Sequence, residues 1–135
     1  MTILDGREPD LQFFFPAPDR LVLINKDDYY LTRDSGVLYT DKGLTNKVGI
    51  IANEISYDKL SSAFTGYILI GEKGAISYAA NSYSVIQQTK NLYVNQIIYG
   101  TKDFLQSKGF AVVIYDIEPL LNTTSPGNIL IYLDK

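Results

Sequence analysis

Asp116 and Glu118 are the residues of this chain whose type and spacing best fit chemistry. Side chains two apart on a strand share a face, and two acids held that way can bind Mg²⁺. Restriction-type nucleases use this arrangement with a Lys two residues beyond the second acid. Here that position is Leu120, and Pro119 breaks the strand. The pair is therefore expected to be a solvated strand exit. Asp27, Asp28 and Asp34 flank a hairpin across which they could approach one another and hold Ca²⁺, yet no twelve-residue calcium-loop pattern surrounds them. Asn and Asp in such turns bond their own backbone, which accounts for these acids without a metal.

The remaining motifs have structural readings. Ser56-Tyr-Asp-Lys59 has the Ser-x-x-Lys spacing of penicillin-binding serine enzymes, but both partner motifs of that family are absent, and the tetrapeptide reads as a helix cap and first turn. Gly71-Glu-Lys-Gly74 matches the Gly-x-x-Gly string of KH domains, but strands flank it here, so it reads as a hairpin turn. Asn122-Thr-Thr124 is a formal glycosylation acceptor and reads as loop chemistry. No Walker loop and no Gly-x-Gly-x-x-Gly occurs. The chain has no Cys and no His, which removes disulfides, thiolate catalysis, zinc held by sulfur and the usual neutral-pH general base. The expectation is a protein that is not an enzyme, with no catalytic residue, cofactor or metal ligand.

Composition narrows the class further. A chain of 135 residues with 46% hydrophobic and 20% charged residues has the make-up of one folded domain. Its formal charge of -3 and three scattered arginines, Arg7, Arg20 and Arg33, speak against a nucleic-acid footprint. No apolar run reaches the length of a membrane span, and the first residues lack a hydrophobic signal segment, so cytoplasmic synthesis without membrane insertion is expected. The outstanding abundance is Tyr, at 11 residues, a side chain suited to strands and to interfaces alike.

The elements that must position these residues are read from periodicity. Within Asn91–Lys108, Tyr93, Val94, Ile97, Ile98, Phe104 and Leu105 fall on one face of a helix, with Asn91 as cap and Gly109 as stop. Phe110–Ile117 follows as a strand buried on both faces. A short helix is expected from Ser56 to Phe64, with Leu60 and Phe64 on one face. Strands are expected at Leu21–Ile24, Tyr29–Arg33, Val37–Tyr39, Lys47–Ile55, Tyr67–Ile70, Ala75–Tyr78 and Asn128–Leu133, with Ser82–Gln88 as a further candidate. The fold class is thus α+β: a mixed or mainly antiparallel sheet of about eight short strands carrying one long and one short helix.

Residues 1–18 fit neither period. Phe13, Phe14 and Phe15 lie there beside Pro16 and Pro18, so the segment reads as an extended N-terminal arm ahead of a single domain at 19–135. Three consecutive Phe in an arm cannot all meet one local core, which makes Phe13, Phe14, Phe15 and Pro16, with Tyr29 and Tyr30, the expected interface. The functional expectation is a structural assembly subunit, packed with other protein subunits in a virus or phage particle of the tail, connector or baseplate type. A small-molecule or peptide binding module is the alternative, and an atypical carboxylate or Ser-Lys enzyme the third reading.

Overall fold

Side chains alternate inward and outward along most of the described strands, and the outward ones are apolar often enough to hide the period. The computed structural model describes residues 6–58, 62–80 and 91–134. Among them are nine strands: β1 (Leu11–Phe15), β2 (Asp19–Lys26), β3 (Tyr29–Tyr39), β4 (Lys47–Asp58), β5 (Ser62–Ile70), β6 (Gly74–Ala80), β7 (Leu92–Gly100), β8 (Gly109–Tyr115) and β9 (Gly127–Leu133). They form one sheet in the order β1-β9-β8-β7-β6-β5-β4-β3-β2, and β1 pairs in addition with β3. That last pairing, Phe14 opposite Tyr39, closes the sheet into an antiparallel barrel. β2 pairs with the other end of the same edge of β3, from Asp19 opposite Ser35 to Lys26 opposite Tyr29. Pro16 and Pro18 separate β1 from β2, because Pro cannot donate to a continuous ladder. The two strands therefore share one stave, and the barrel has eight staves.

The α+β expectation is overturned. Asn91–Lys108 is not a helix but β7 followed by a 3₁₀ turn at Lys102–Phe104. Tyr93, Asn95 and Ile97 face the buried interior, while Gln96 and Ile98 are exposed on the outer face. Val94 and Ile98 are apolar although they point outward, and beside Tyr93 and Ile97 they imitate helical spacing. The β-branched and aromatic content of the segment argued for a strand. Gly100 marks the tight turn out of β7, where a Cβ would stand 2.0 Å from the carbonyl oxygen of Phe104. The short helix at Ser56–Phe64 is likewise replaced by a hairpin: Ser56–Asp58 ends β4, Ser62–Phe64 begins β5, and Tyr57 pairs with Ser62. Residues 59–61 of that segment, and the strand expected at Ser82–Gln88, lie outside the described residues.

The strands expected at Tyr29–Arg33 and Val37–Tyr39 are one continuous strand, β3, and the strand expected at Phe110–Ile117 ends at Tyr115, while β4, β6 and β9 fall close to where they were expected. β8 is buried on both faces: Ala111, Val113 and Tyr115 join the main core, and Val112 packs outside the barrel with Leu130 and Tyr132. Gly71–Lys73 forms a 3₁₀ turn joining β5 to β6. Leu11–Phe15, expected as part of an arm ahead of the domain, is instead a stave of the barrel, with Phe13 and Phe15 turned inward into the core at 6% and 1% exposure. No helix among the described residues is long and apolar enough to cross a membrane.

Candidate functional site

The interior has two unlike ends. One is apolar, packed by Leu38, Ile70, Ile76, Ile97 and Phe104, and beside it lies a cleft of about 870 Å³ lined in part by Phe13, Ile70 and Phe104. The other end carries polar and aromatic groups. β3 turns Tyr30, Thr32 and Asp34 to the same face, and the register sets Arg20 of β2 directly opposite Asp34. Arg20 donates from Nε to Asp34 Oδ1 and from Nη2 to Oδ2, both at 2.6 Å. Tyr115, at the end of β8, donates its hydroxyl to the same Oδ2 at 2.6 Å. The Arg20 and Asp34 side chains are 4% and 1% exposed, so this is a buried, bidentate pair closed by a phenol.

Rings surround the trio. Phe15 and Tyr93 each meet Tyr115 edge-on, at 5.6 and 6.2 Å between centroids, and Phe64 stacks on Tyr93 at 4.5 Å and on Tyr78 at 6.4 Å. Tyr30 stacks on Tyr57 at 5.3 Å, where β3 faces β4. Tyr78 donates its hydroxyl to Asn53 Oδ1. Gly66 of β5 makes that bond possible: a Cβ there would come within 2.1 Å of Asn53 Oδ1 and 3.0 Å of the Tyr78 ring.

The electrostatics follow from burial. Burial opposes the charge of Arg20, but the hydrogen bonds and negative charge of Asp34 outweigh it and raise the guanidinium pKa further. Burial pushes the Tyr93 phenol up to about 12, and pushes Tyr78 and Tyr115 well above the ordinary phenol range, Asp34 adding to the effect on Tyr115. Tyr30 is raised by burial first and by Tyr57 second. These tyrosines are therefore neutral at physiological pH, able to donate hydrogen bonds and to present ring faces.

The residues singled out by sequence are mostly elsewhere. Asp116 and Glu118 lie in the connection after β8, both exposed, and no group of three or more Asp, Glu, His or Cys able to hold a metal occurs among the described residues. Asp27 and Asp28 occupy the exposed β2–β3 turn, well separated in environment from buried Asp34. Thr124 donates its hydroxyl to the carbonyl of Pro18, and Arg20 reaches the carbonyl of Leu120, which fastens the 116–126 connection to the start of β2. Of the expected interface set, Phe14 is half-buried on the outer side, Pro16 is half-buried, Tyr29 is exposed, and Tyr30 stands among the rings described above. Sequence reading missed Arg20, Asp34 and Tyr115 as a unit. The available signal was the alternation Tyr30, Thr32, Asp34, which marks one face of a strand once that strand is known to be in a barrel.

Neither a protein-family model nor a curated protein matches the sequence. Solved structures do match in shape. A pyocyanin demethylase aligns with TM-score 0.65 and 13% identity over 92% of this chain and 98% of its own. Two pterocarpan synthase dirigent proteins align with TM-scores of 0.64 and 0.60 at 14% and 9% identity, covering 97% and 93% of this chain and 94% and 99% of theirs. At such identities the likeness establishes the barrel fold alone. It overturns the expectation of a virus or phage structural subunit: these three structures carry the names of a demethylase and of dirigent proteins, not of particle components.

Proposed function

We propose that this chain is a binding barrel for a flat, largely aromatic small molecule, held at the polar end of the interior. The observation that carries the reading is the Arg20–Asp34–Tyr115 trio, buried among the rings of Phe15, Tyr93 and Phe64 inside a closed barrel. An eight-stranded barrel has an interior just wide enough to be filled by side chains or to hold one small ligand. A buried ion pair is a poor means of gaining stability compared with apolar packing, so its presence here fits recognition better than folding. The names of the similar structures, a demethylase of pyocyanin and pterocarpan synthases, are those of barrels that work on small organic compounds, which supports the same reading.

Binding without catalysis is the form proposed, since both oxygens of Asp34 are engaged by Arg20 and one also by Tyr115, which ties up that carboxylate. Proton transfer through Tyr115 and Asp34 is a second reading, favoured by the 2.6 Å contact between them. It requires that a bound compound be recovered chemically changed. Protein subunits remain proposed partners because Ile98, Tyr99 and Leu105 are exposed near one another on the outer face. A native mass that stays monomeric at every concentration, alone and in extract, removes them.

The test of the binding reading uses 2-naphthol as probe, titrated into the full chain and followed by amide chemical shifts. Saturable binding with shifts gathered on Tyr30, Tyr57, Tyr93 and Tyr115 is expected. No saturation, or shifts gathered instead at Phe13, Ile70 and Phe104, ends the reading.

A further inference from the structure

Two side-chain atoms in the interior have no hydrogen-bond partner, Thr32 Oγ1 and Asn95 Oδ1. Both residues are fully buried. Thr32 shares the inward face of β3 with Asp34, and Asn95 shares the inward face of β7 with Tyr93 and Ile97. The Asn95 amide nitrogen is well used, donating to the carbonyls of Tyr93 at 3.2 Å and Ala111 at 3.0 Å, so only its oxygen is left. Leaving a buried polar group unpaired is costly, so each such atom calls for an explanation.

Topology places the two atoms on opposite walls. From β3 to β7 the ring runs through β4, β5 and β6 one way and through β1, β9 and β8 the other, four steps in each direction. The inward row that starts at Thr32 continues through Ile55 and Phe64 to Ala80, and the pairing of Ala79 with Gln96 brings Asn95 beside it. Rings fill the space between, Phe64 stacked on Tyr93. Among Phe15, Phe64, Tyr78, Tyr93 and Tyr115, Tyr93 is the most exposed at 9%, against 1% or less for the other four.

Resting on the binding reading above, we infer that Thr32 and Asn95 are the specificity-determining pair of this site, recognising a flat ring compound with polar groups on opposite edges. The guest takes the place of Tyr93, which swings toward the exposed end. It offers an O–H or N–H donor to Asn95 Oδ1, which can only accept, and a hydroxyl or other oxygen to Thr32 Oγ1, which both donates and accepts. A compound with a single polar edge leaves one of the two atoms unpaired.

The probes are 2,6-dihydroxynaphthalene, polar on both edges, and 2-naphthol, polar on one. The full chain should bind the diol about tenfold more tightly, the worth of one well-made hydrogen bond. Thr32→Val and Asn95→Leu should each erase that advantage, and Thr32→Ser should restore it. Without ligand, Thr32→Val should melt no lower than the parent, because it removes an unpaired polar atom at nearly constant shape. Equal affinity of parent and Thr32→Val for the diol overturns the inference, and so does a fall of several degrees in the empty Thr32→Val protein, which would reveal a structural partner. Should Asn95→Leu fail to fold, the Thr32→Val and Thr32→Ser pair decides alone. A parent that binds neither compound overturns the binding reading as well, whereas binding indifferent to Thr32 overturns only this inference.

Discussion

Asp34 stays inside the barrel because its charge is shared: Arg20 supplies two N–H donors and Tyr115 an O–H, all at 2.6 Å. Removing the acid strands an arginine whose side chain is 4% exposed. Asp34→Ala should therefore cost about 3 to 5 kcal/mol in denaturant unfolding, the usual result of orphaning a buried charge. Tyr115→Phe, which removes one bond to a charged acceptor, should cost about 1.5 to 3 kcal/mol. The double change Arg20→Met with Asp34→Leu should be milder than Asp34→Ala alone, since no charge is left unpaired. A double change as damaging as the single one would show that the trio's value lies in shape. None of this was legible in the sequence, where the partners of Asp34 stand 14 and 81 positions away and the Asp-Ser-Gly string reads as an ordinary turn.

At the scale of elements, the Phe cluster shows how far burial depends on pairing partners. Phe13 and Phe15 point into the core because β1 pairs with β9, Phe15 opposite Gly127, where a Cβ would stand 2.9 Å from the Phe15 ring. Phe15→Ala should then cost about 3 to 5 kcal/mol, as an emptied aromatic core site does, while Phe14→Ala on the outer side should cost clearly less. A chain beginning at Asp19 loses the strand that closes the barrel and should not show the parent's cooperative melt. Near-equal transitions for the parent and this shortened chain would mean that β1 is dispensable to the fold. The misreading of β7 as a helix has a related cause: period two shows in sequence only when one face is polar, and the outer face of β7 carries Val94 and Ile98.

For the molecule as a whole, the buried phenols set a limit on alkaline stability. A phenol whose folded pKa lies above its unfolded value near 10 contributes stability that is complete below pH 10 and is lost as pH rises through the folded value. For Tyr93 that value is about 12, and Tyr78 and Tyr115 are raised in the same direction. Stability should therefore start to fall near pH 10 and collapse toward pH 12, with tyrosinate absorbance and loss of β-sheet circular dichroism changing together. Smooth ionisation of all 11 tyrosines with the sheet intact would contradict the buried placement of these three. The sequence by itself determined what local chemistry allows: no thiol or imidazole chemistry, a hairpin turn at Gly71–Gly74, and the strands of β8 and β9, whose apolar runs are too dense to be anything exposed. Closure of the barrel and the polar trio within it were decided by tertiary structure alone. Closure rests on pairings such as Phe14 with Tyr39 and Leu11 with Ile131, which no local period encodes. A polar side chain inside a barrel has the same spacing along its strand as one facing water, so only the closed ring tells the two apart.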